Sequence, residues 1–128
     1  MKFITQLKPN EIFVFGSNEA GNHGAGAALY AKQHFGAIQG KAEGFQGQCY
    51  AIPTKNRKLE TLSLNHIMSY VHSFRSAACF WNEKVFLVTP IGCGLAGLSP
   101  KDIAPMFQAL PNNVVLPEEF IAVLNRVK

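Results

Sequence analysis

Glycine-rich segments follow short apolar runs along this chain, and this order most restricts how the chain can fold. Residues 12–15 read IFVF and lead into the segment 18–26, which contains three glycines. Residues 84–88 read KVFLV and precede residues 92–97, which read GCGLAG. A short run of β-branched and aromatic residues that stops at glycines is typical of a buried strand that enters a loop. The pattern therefore predicts strands whose ends carry glycine loops.

Helical patterns occupy the intervening segments. Residues 25–35 are rich in alanine and stop before Gly36, a residue type that commonly ends helices. Residues 62–81 space their apolar side chains by three and four, and Ser99 with Pro100 is a typical helix start. Helices are predicted at 25–35, 62–81, 100–110 and 117–127, and strands at 12–15, 48–52 (ended by Pro53), 84–88 and 113–116.

Strands that alternate with helices predict an α/β fold with a mostly parallel or mixed central sheet. The 128 residues suit a single domain spanning residues 1–128, because a domain usually takes roughly 100–200 residues. Ligands bind such sheets outside the carboxyl ends of the strands. The two glycine segments and the sequence PTK at residues 53–55 all follow predicted strands. We therefore expect a binding site where these three segments converge.

The composition fits a folded protein with a substantial core and excludes several other classes. Hydrophobic residues make up 48% and charged residues 16%, which is too apolar and too weakly charged for a disordered chain. No stretch approaches the ~20 apolar residues of a membrane span, and the first residues lack the apolar core of a signal peptide. No membrane partner is predicted. The formal charge of +4 permits contact with polyanions such as DNA.

The cysteine pattern indicates a reducing compartment. The chain has three cysteines, Cys49, Cys79 and Cys93, and none of them forms a CxxC pair. An odd number without that spacing argues against both a disulfide framework and a zinc site, so neither a metal nor a cofactor is predicted. Without an export signal, the expected location is the cytoplasm.

The segment at residues 16–28 has the composition of a phosphate-binding loop. Glycines ahead of a helix let backbone N–H groups approach phosphate oxygens, and the helix start adds partial positive charge. The segment matches neither a Walker loop nor the GxGxxG fingerprint. A flexible connection between strand and helix is the alternative interpretation. His23 within it is expected to be a surface group rather than a catalyst.

Two further residues could carry chemistry. Lys55 follows the strand at 48–52, and an amine that is desolvated at the mouth of a pocket becomes a nucleophile. The spacing alone favours the alternative, a solvated lysine beside Arg57 and Lys58. Cys93 has no histidine partner that the sequence identifies, so we interpret it as a packing residue rather than a nucleophile. No closely spaced carboxylates indicate a two-carboxylate hydrolase.

Three segments taken in order resemble a macrodomain: the asparagine and glycine loop after the first strand, YAIPTK at residues 50–55 and IGCGLAGL at residues 91–98. The resemblance covers residues 12–107 and is most specific in PTK and IGCGLAGL. Within macrodomains, the chain is similar to the ALC-like subclass, which includes glycohydrolases that act on protein carboxylates and on ADP-ribosylated DNA bases. The resemblance implies a three-layer α/β/α sandwich that binds ADP-ribose and hydrolyses an ADP-ribosyl linkage.

The resemblance also implies roles for particular residues. Asn18 would hold the distal ribose, and Lys55 would be the catalytic nucleophile that attacks the anomeric carbon of that ribose. Residues 24–26 would lie against the ribose and the diphosphate, and residues 91–97 would form the second phosphate-binding loop. The implied ligand-binding residues are Asn18, Gly24, Ala25, Gly26, Thr54, Ile91, Gly92, Cys93, Gly94, Leu95, Ala96 and Gly97.

The chain departs from the family pattern at two places. Members that act on protein carboxylates have an aspartate where this chain has Ala96, whereas members that act on DNA tolerate a small residue there. The family's first strand carries a Gly-Asp pair that holds adenine, and residues 1–11 contain no such pair. Three interpretations stay open: an ADP-ribosyl glycohydrolase, a non-catalytic module that binds ADP-ribose or a related nucleotide, and a nucleotide-binding α/β protein outside the macrodomains.

Overall fold

A mixed five-stranded sheet forms the centre of the protein. The structure is a computed structural model that describes residues 4–126. The strands are β1 (Glu11–Asn18), β2 (Gly44–Gln46), β3 (Cys49–Lys55), β4 (Val85–Val88) and β5 (Val114–Val115). They lie in the order β2-β3-β1-β4-β5, with β2 antiparallel to β3 and the other neighbours parallel. The predicted α/β class with a mostly parallel or mixed sheet is confirmed.

Four helices complete the fold: α1 (Gly26–His34), α2 (Leu64–Phe80), α3 (Pro100–Ile103) and α4 (Glu118–Arg126). The first two differ from the predicted helices by only one or two residues at each end. α2 follows Ser63, whose hydroxyl accepts a hydrogen bond of 3.2 Å from the N–H of His66, because serine is a favoured N-cap. Val127, the predicted end of the last helix, lies outside the described residues. No helix within residues 4–126 has the length and apolar character to cross a bilayer.

Two predictions about the strands are wrong. The strand predicted at 48–52 does not end at Pro53 but continues to Lys55, parallel to β1. β2 pairs with β3 only as far as Ala51, so Pro53 has a strand neighbour on one side alone, and such an edge tolerates proline. The prediction also omits β2, whose three residues are too few to show a strand pattern.

The helix predicted at 100–110 is divided in the structure. α3 ends at Ile103, and a 3-10 turn, Ala104–Phe107, follows it. Pro105 lacks the N–H that a continuing α-helix would donate to the preceding turn, which explains the break. The predicted start is correct, because the Asp102 carboxylate accepts hydrogen bonds of 3.0 Å from both the N–H and the hydroxyl of Ser99.

Alternate residues of β1 enter two separate apolar clusters. Ile12 and Val14 pack with residues of α2, α3, the 3-10 turn and α4, whereas Phe13 and Phe15 pack with α1. This division follows from the two-residue period of a strand. The larger cluster contains four fully buried phenylalanines: Phe74, Phe86, Phe107 and Phe120. Helices therefore pack on both sides of β1, and the loops that follow the strands lie at one edge of the sheet.

Candidate functional site

The carboxyl ends of β1, β3 and β4 meet at Gly16. A Cβ atom at this position would lie 3.5 Å from Cγ2 of Ile91, 3.6 Å from the backbone nitrogen of Gly92 and 3.7 Å from Oγ1 of Thr54. The buried hydroxyl of Thr54 also donates a hydrogen bond of 3.3 Å to the carbonyl of Ser17. Because Gly16 has no side chain, β1 can lie in close contact with the end of β3 and with the segment that follows β4.

The first glycine loop, residues 19–25, has a defined shape. Asn18 holds it through two hydrogen bonds of 2.9 Å: its Nδ2 donates to the carbonyl of Asn22, and its Oδ1 accepts from the N–H of Asn22. Gly21 has a φ of +69°, and a Cβ atom there would overlap the backbone of Gly40. Glycine alone suits both the conformation and the contact. These contacts argue against a flexible connection.

His23 in this loop is buried, so the prediction of a surface group is wrong. Its Nε2 lies 3.1 Å from the carbonyl oxygen of Lys41 and 3.0 Å from Oε1 of Gln46. Its backbone N–H donates to Oε1 of Gln39 at 2.9 Å, and its ring meets that of Phe15 edge-on. Because both partners of Nε2 are acceptors, Nε2 carries a proton. His23 therefore joins the first glycine loop to the segment before β2.

The second glycine loop, residues 91–97, leaves several backbone donors unused. Gly92 and Gly97 have φ values of +79° and +78°, and the N–H of Leu98 closes the loop with a hydrogen bond of 2.8 Å to the carbonyl of Gly92. Four N–H groups in this loop make no hydrogen bond within residues 4–126: those of Gly92, Gly94, Leu95 and Ala96. Unpaired N–H groups in a turn form an attractive environment for an anion.

The start of α1 lies next to the second glycine loop. A Cβ atom at Gly26 would lie 3.5 Å from Cδ1 of Leu95, a side chain that is 69% exposed. Ala25 occupies the cap position of α1 and provides no side-chain acceptor, so the first N–H groups of the helix are uncapped. Gly24, Ala25 and Gly26 are all exposed. The start of α1 and the second glycine loop therefore lie side by side with unused donors on each, and the space between these two walls is called the cleft below.

Lys55 ends β3 beside both loops. It lies opposite Asn18 in the parallel register with β1, and its carbonyl accepts a hydrogen bond of 2.9 Å from the N–H of Glu19. It also forms an antiparallel bridge with Thr61, whose hydroxyl donates to the carbonyl of Ala96 at 2.8 Å. Its half-buried side chain has no ion-pair partner in the described part of the chain. The sequence did not reveal that Thr61 connects Lys55 to the second glycine loop.

Cys93 belongs to the second glycine loop, but its thiol is not a reactive nucleophile. Burial, with smaller contributions from the charges of Glu119 and Asp102, raises the pKa of its thiol to about 11. The thiol therefore stays protonated at neutral pH, whereas the reactive form of cysteine is the thiolate. The side chain packs against the larger apolar cluster, and its Sγ lies 3.5 Å from the carbonyl oxygen of Ile91. Its environment is that of a packing residue.

Glu19, which directly follows β1, belongs to a polar cluster that the sequence analysis missed. Its Oε2 accepts a hydrogen bond from the hydroxyl of Tyr70 and lies 3.3 Å from Nε2 of His66. The rings of His66 and Tyr70 stack, with centroids 5.4 Å apart and planes inclined by 14°. Both residues lie on one face of α2 because they are four positions apart. Glu19 and Tyr70 are 51 positions apart in the sequence, so no local pattern reveals their contact.

A second carboxylate, that of Glu43, influences the same cluster. Burial raises the pKa of the Glu43 carboxyl group. The pKa of Tyr70 rises to about 12, through burial first, then through the hydrogen bond and the charge of Glu19, and finally through the charge of Glu43. Tyr70 therefore stays protonated at neutral pH and acts as a donor. Folding brings two distant carboxylates close to one tyrosine.

An apolar cavity of about 480 Å³ adjoins the start of α1. Its lining includes Phe13, Tyr30 and Leu87, with Glu118 at the start of α4 as its charged member. The rings of Phe13 and Tyr30 have centroids 6.3 Å apart. The volume falls within the range of roughly 300–1,000 Å³ that is usual for small-molecule sites. Gly26 lines this cavity and also lies next to Leu95, so the cavity and the cleft adjoin at that residue.

Comparisons with known proteins add no assignment to this geometry. No family model matches the sequence, and no curated protein matches it. Among the side chains of residues 4–126, no group of three or more histidines, cysteines, aspartates or glutamates is placed to hold a metal ion. The functional interpretation therefore depends on the cleft, the cavity and Lys55.

Proposed function

We propose that the protein is a macrodomain-like three-layer sandwich that binds ADP-ribose or a related nucleotide in the cleft between the start of α1 and the second glycine loop. The unpaired backbone N–H groups on both walls of the cleft carry this proposal. A diphosphate needs several donors at close range, and backbone N–H groups beside glycines supply them. The order of the asparagine and glycine loop, PTK and IGCGLAGL along the chain supports the same ligand.

The apolar cavity suits the base of this nucleotide. It adjoins the cleft at Gly26, and the rings of Phe13 and Tyr30 offer aromatic surfaces for a heterocycle. With the base in the cavity, the diphosphate passes between the two walls of the cleft. The distal ribose then lies toward Asn18 and Lys55, the last residues of β1 and β3.

Thermal unfolding with ADP-ribose, ADP and NAD tests this ligand class. A specific ligand at 100 times its dissociation constant stabilises a protein by about 2.7 kcal/mol. We expect ADP-ribose to raise the Tm more than ADP does, because ADP lacks the distal ribose. If none of the three ligands raises the Tm, both the enzyme and the binding module are excluded.

Gly94→Ala is the variant matched to this experiment. A Cβ atom at Gly94 meets nothing within 4 Å, so the unfolding free energy should change by less than about 0.5 kcal/mol. The added methyl group would occupy space that the diphosphate needs, and we expect the Kd for ADP-ribose to rise about tenfold or more. Calorimetry measures the Kd. Wild-type affinity in this variant would show that the diphosphate does not approach the second glycine loop.

We further propose that Lys55 makes the protein an ADP-ribosyl glycohydrolase. Its amine would attack the anomeric carbon of the distal ribose and displace the attached group, and water would then release ADP-ribose from the covalent intermediate. The position of Lys55 beside Asn18 and its lack of an ion-pair partner among the described side chains support this role. Cys93, the other candidate nucleophile, is protonated at neutral pH.

A binding module without catalysis is the alternative function. Ala96, whose carbonyl accepts the hydrogen bond from Thr61, has no side-chain group that could assist Lys55, and this feature favours the alternative. Both functions require ADP-ribose binding. Only the enzyme releases ADP-ribose from a modified macromolecule, so incubation with ADP-ribosylated DNA and with ADP-ribosylated protein separates the two.

The turn after Lys55 favours nucleic acid as the macromolecule that carries the ADP-ribose. Asn56 shapes this turn, because its Oδ1 accepts hydrogen bonds from the N–H groups of Lys58 and Glu60 at 2.9 and 3.0 Å. The side chains of Arg57 and Lys58 are exposed and have no ion-pair partner within residues 4–126. Two cations on an ordered turn beside the proposed nucleophile suit the phosphates that flank a modified base.

Charge reversal on this turn is expected to affect DNA substrates selectively. Arg57→Glu combined with Lys58→Glu should slow release of ADP-ribose from modified DNA by about tenfold or more at low salt, with a smaller effect as salt increases. The Kd for free ADP-ribose should stay within about twofold, because free ADP-ribose lacks the flanking DNA phosphates that these two side chains would contact. Release is measured as a function of salt concentration.

The matched control is Lys8→Glu combined with Lys32→Glu, which makes the same change in net charge. Lys8 precedes β1, at the opposite end of that strand from the site, and Lys32 lies in the last turn of α1. Equal losses in the two double variants would indicate a general effect of net charge, and the turn would then have no special contact with DNA.

A further inference from the structure

The segment after β3 folds back on the end of that strand as a hairpin whose turn is formed by residues 56–60. The N–H of Leu62 donates a hydrogen bond of 2.9 Å to the carbonyl of Thr54. Between these two positions and the turn, Lys55 and Thr61 face each other in an antiparallel bridge. Residues that lie opposite each other in such a bridge direct their side chains to the same face. The side chain of Thr61 therefore leaves the hairpin on the same face as that of Lys55.

On this face, the hydroxyl of Thr61 reaches the second glycine loop. It donates a hydrogen bond of 2.8 Å to the carbonyl of Ala96, which lies 35 positions further along the chain. The N–H of Gly97 belongs to the same peptide unit and donates to the carbonyl of Gly94 at 3.0 Å. Because a peptide unit is planar, these two hydrogen bonds fix the orientation of the backbone between Ala96 and Gly97.

The hydrogen bond from Thr61 connects the second glycine loop to a distant part of the chain. The other hydrogen bonds that this loop makes within the described part of the chain stay within residues 89–98. Packing holds the first half of the loop, since Ile91 and Gly92 are buried. The second half, residues 94–97, is largely exposed, yet it carries three of the four unpaired N–H groups. The placement of these donors therefore depends on Thr61.

We propose that Thr61 is a positioning residue of the glycohydrolase site. Its hydroxyl holds the exposed half of the second glycine loop at a fixed place relative to Lys55, so that a diphosphate bound by the loop presents the anomeric carbon of the distal ribose to the lysine amine. This inference rests on the proposed function. A displacement of about 1 Å between reacting groups can lower a rate by about 10²-fold, so only molecules with the loop in place react at the full rate.

Loss of this hydrogen bond is expected to leave the fold intact. The side chain of Thr61 is exposed, so water can satisfy the carbonyl of Ala96 when the loop moves. A neutral hydrogen bond typically favours the bonded arrangement only about fivefold. Without the hydroxyl, the second half of the loop should therefore leave its place more often, while the hairpin keeps its own backbone hydrogen bond from Leu62 to Thr54.

Amide hydrogen exchange, followed by NMR at each residue, tests this connection without any ligand. Thr61→Val keeps the shape of the side chain but lacks the hydroxyl, so exchange at the N–H of Gly97 should become about fivefold faster. Thr61→Ser keeps the hydroxyl and should exchange as the wild-type protein does. The N–H of Leu62, which is bonded within the hairpin, is the internal control and should keep its rate in both variants.

Turnover of ADP-ribosylated DNA supplies the second readout. Thr61→Val should lower the single-turnover rate about fivefold, whereas the Kd for ADP-ribose should stay within about twofold, because the N–H donors still bind the diphosphate when the loop is displaced. Thr61→Ser should restore the rate. Ser73→Ala is the matched control, since it also removes an exposed hydroxyl that donates to a backbone carbonyl, but on α2, and it should change neither quantity.

The outcomes separate this inference from the function on which it rests. Unchanged exchange at Gly97 in Thr61→Val overturns the inference, and so does equally faster exchange at Leu62, because the variant would then open the whole hairpin. A normal rate in Thr61→Val, or a rise in Kd that matches the loss in rate, overturns it as well. Faster exchange at Gly97 in a protein that releases ADP-ribose from no substrate supports the contact between Thr61 and the loop but overturns the glycohydrolase function, and the positioning role fails with it.

Discussion

Replacing Lys55 by alanine is expected to abolish release of ADP-ribose from modified DNA or protein. The loss should be about 10³-fold or more, because no covalent intermediate forms without the amine. The Kd for ADP-ribose should change by no more than about threefold, since the proposed diphosphate contacts come from backbone N–H groups. Single-turnover release measures the first effect, and calorimetry measures the second.

Lys32→Ala is the matched control for this variant. Lys32 is an exposed lysine in the last turn of α1, so its replacement removes the same side chain without touching the cleft. Full turnover in Lys32→Ala together with loss in Lys55→Ala would assign the reaction to Lys55. Undiminished turnover in Lys55→Ala would rule out the lysine mechanism, and the enzyme would need another nucleophile.

Replacing Phe74 by alanine is expected to cause the largest loss of stability. Its fully buried ring packs within 5.2 Å of the ring of Tyr50, 5.5 Å of Phe86 and 6.2 Å of Phe107, measured between centroids. Truncation of such a side chain leaves a cavity and typically costs about 3–5 kcal/mol of unfolding free energy. Denaturant unfolding measures this change, and the Tm should fall by about 10 °C or more.

Phe80→Ala on the same helix tests whether burial is the cause. Phe80 is the last residue of α2, and its side chain is 76% exposed. Its truncation should change the unfolding free energy by about 0.5 kcal/mol or less. Similar losses in the two variants would mean that helix propensity, rather than the packing of Phe74 between sheet and helix, determines the stability of this region.

The fold was predictable wherever the chain repeats a local pattern for long enough. The spacing of apolar residues located α2 to within two residues, and the apolar run before Gly16 located β1. The prediction failed at Pro53 because proline interrupts a strand only where a neighbouring strand needs the missing N–H, and the sequence does not show that β2 stops at Ala51. It missed β2 because three residues carry too little pattern.

The candidate site was likewise predictable only where a local sequence pattern marks its residues. The two glycine loops and Lys55 could be named from the sequence, since each lies at or after the end of a strand and carries its own local signal. His23 was assigned to the surface because its burial depends on Lys41 and Gln46, which reach it only after folding. The cluster of Glu19, His66 and Tyr70 could not be predicted, because the sequence around a carboxylate does not show which distant residues it will contact in the folded protein.

By itself, the sequence determined most of the segments that become strands, helices and glycine loops, because backbone conformation depends largely on neighbours a few positions away. It also predicted that the glycine loops and Lys55 lie at the carboxyl ends of strands. The convergence of the two loops and Lys55 was already expected from the parallel sheet, and only the tertiary structure decided which residues of other elements join them. The parallel pairing of β1 with β3 and β4 brings the two loops and Lys55 to one edge, and the packing of α2 on that sheet brings Tyr70 to Glu19 across 51 positions. Such contacts depend on how elements pack, which local sequence patterns do not encode.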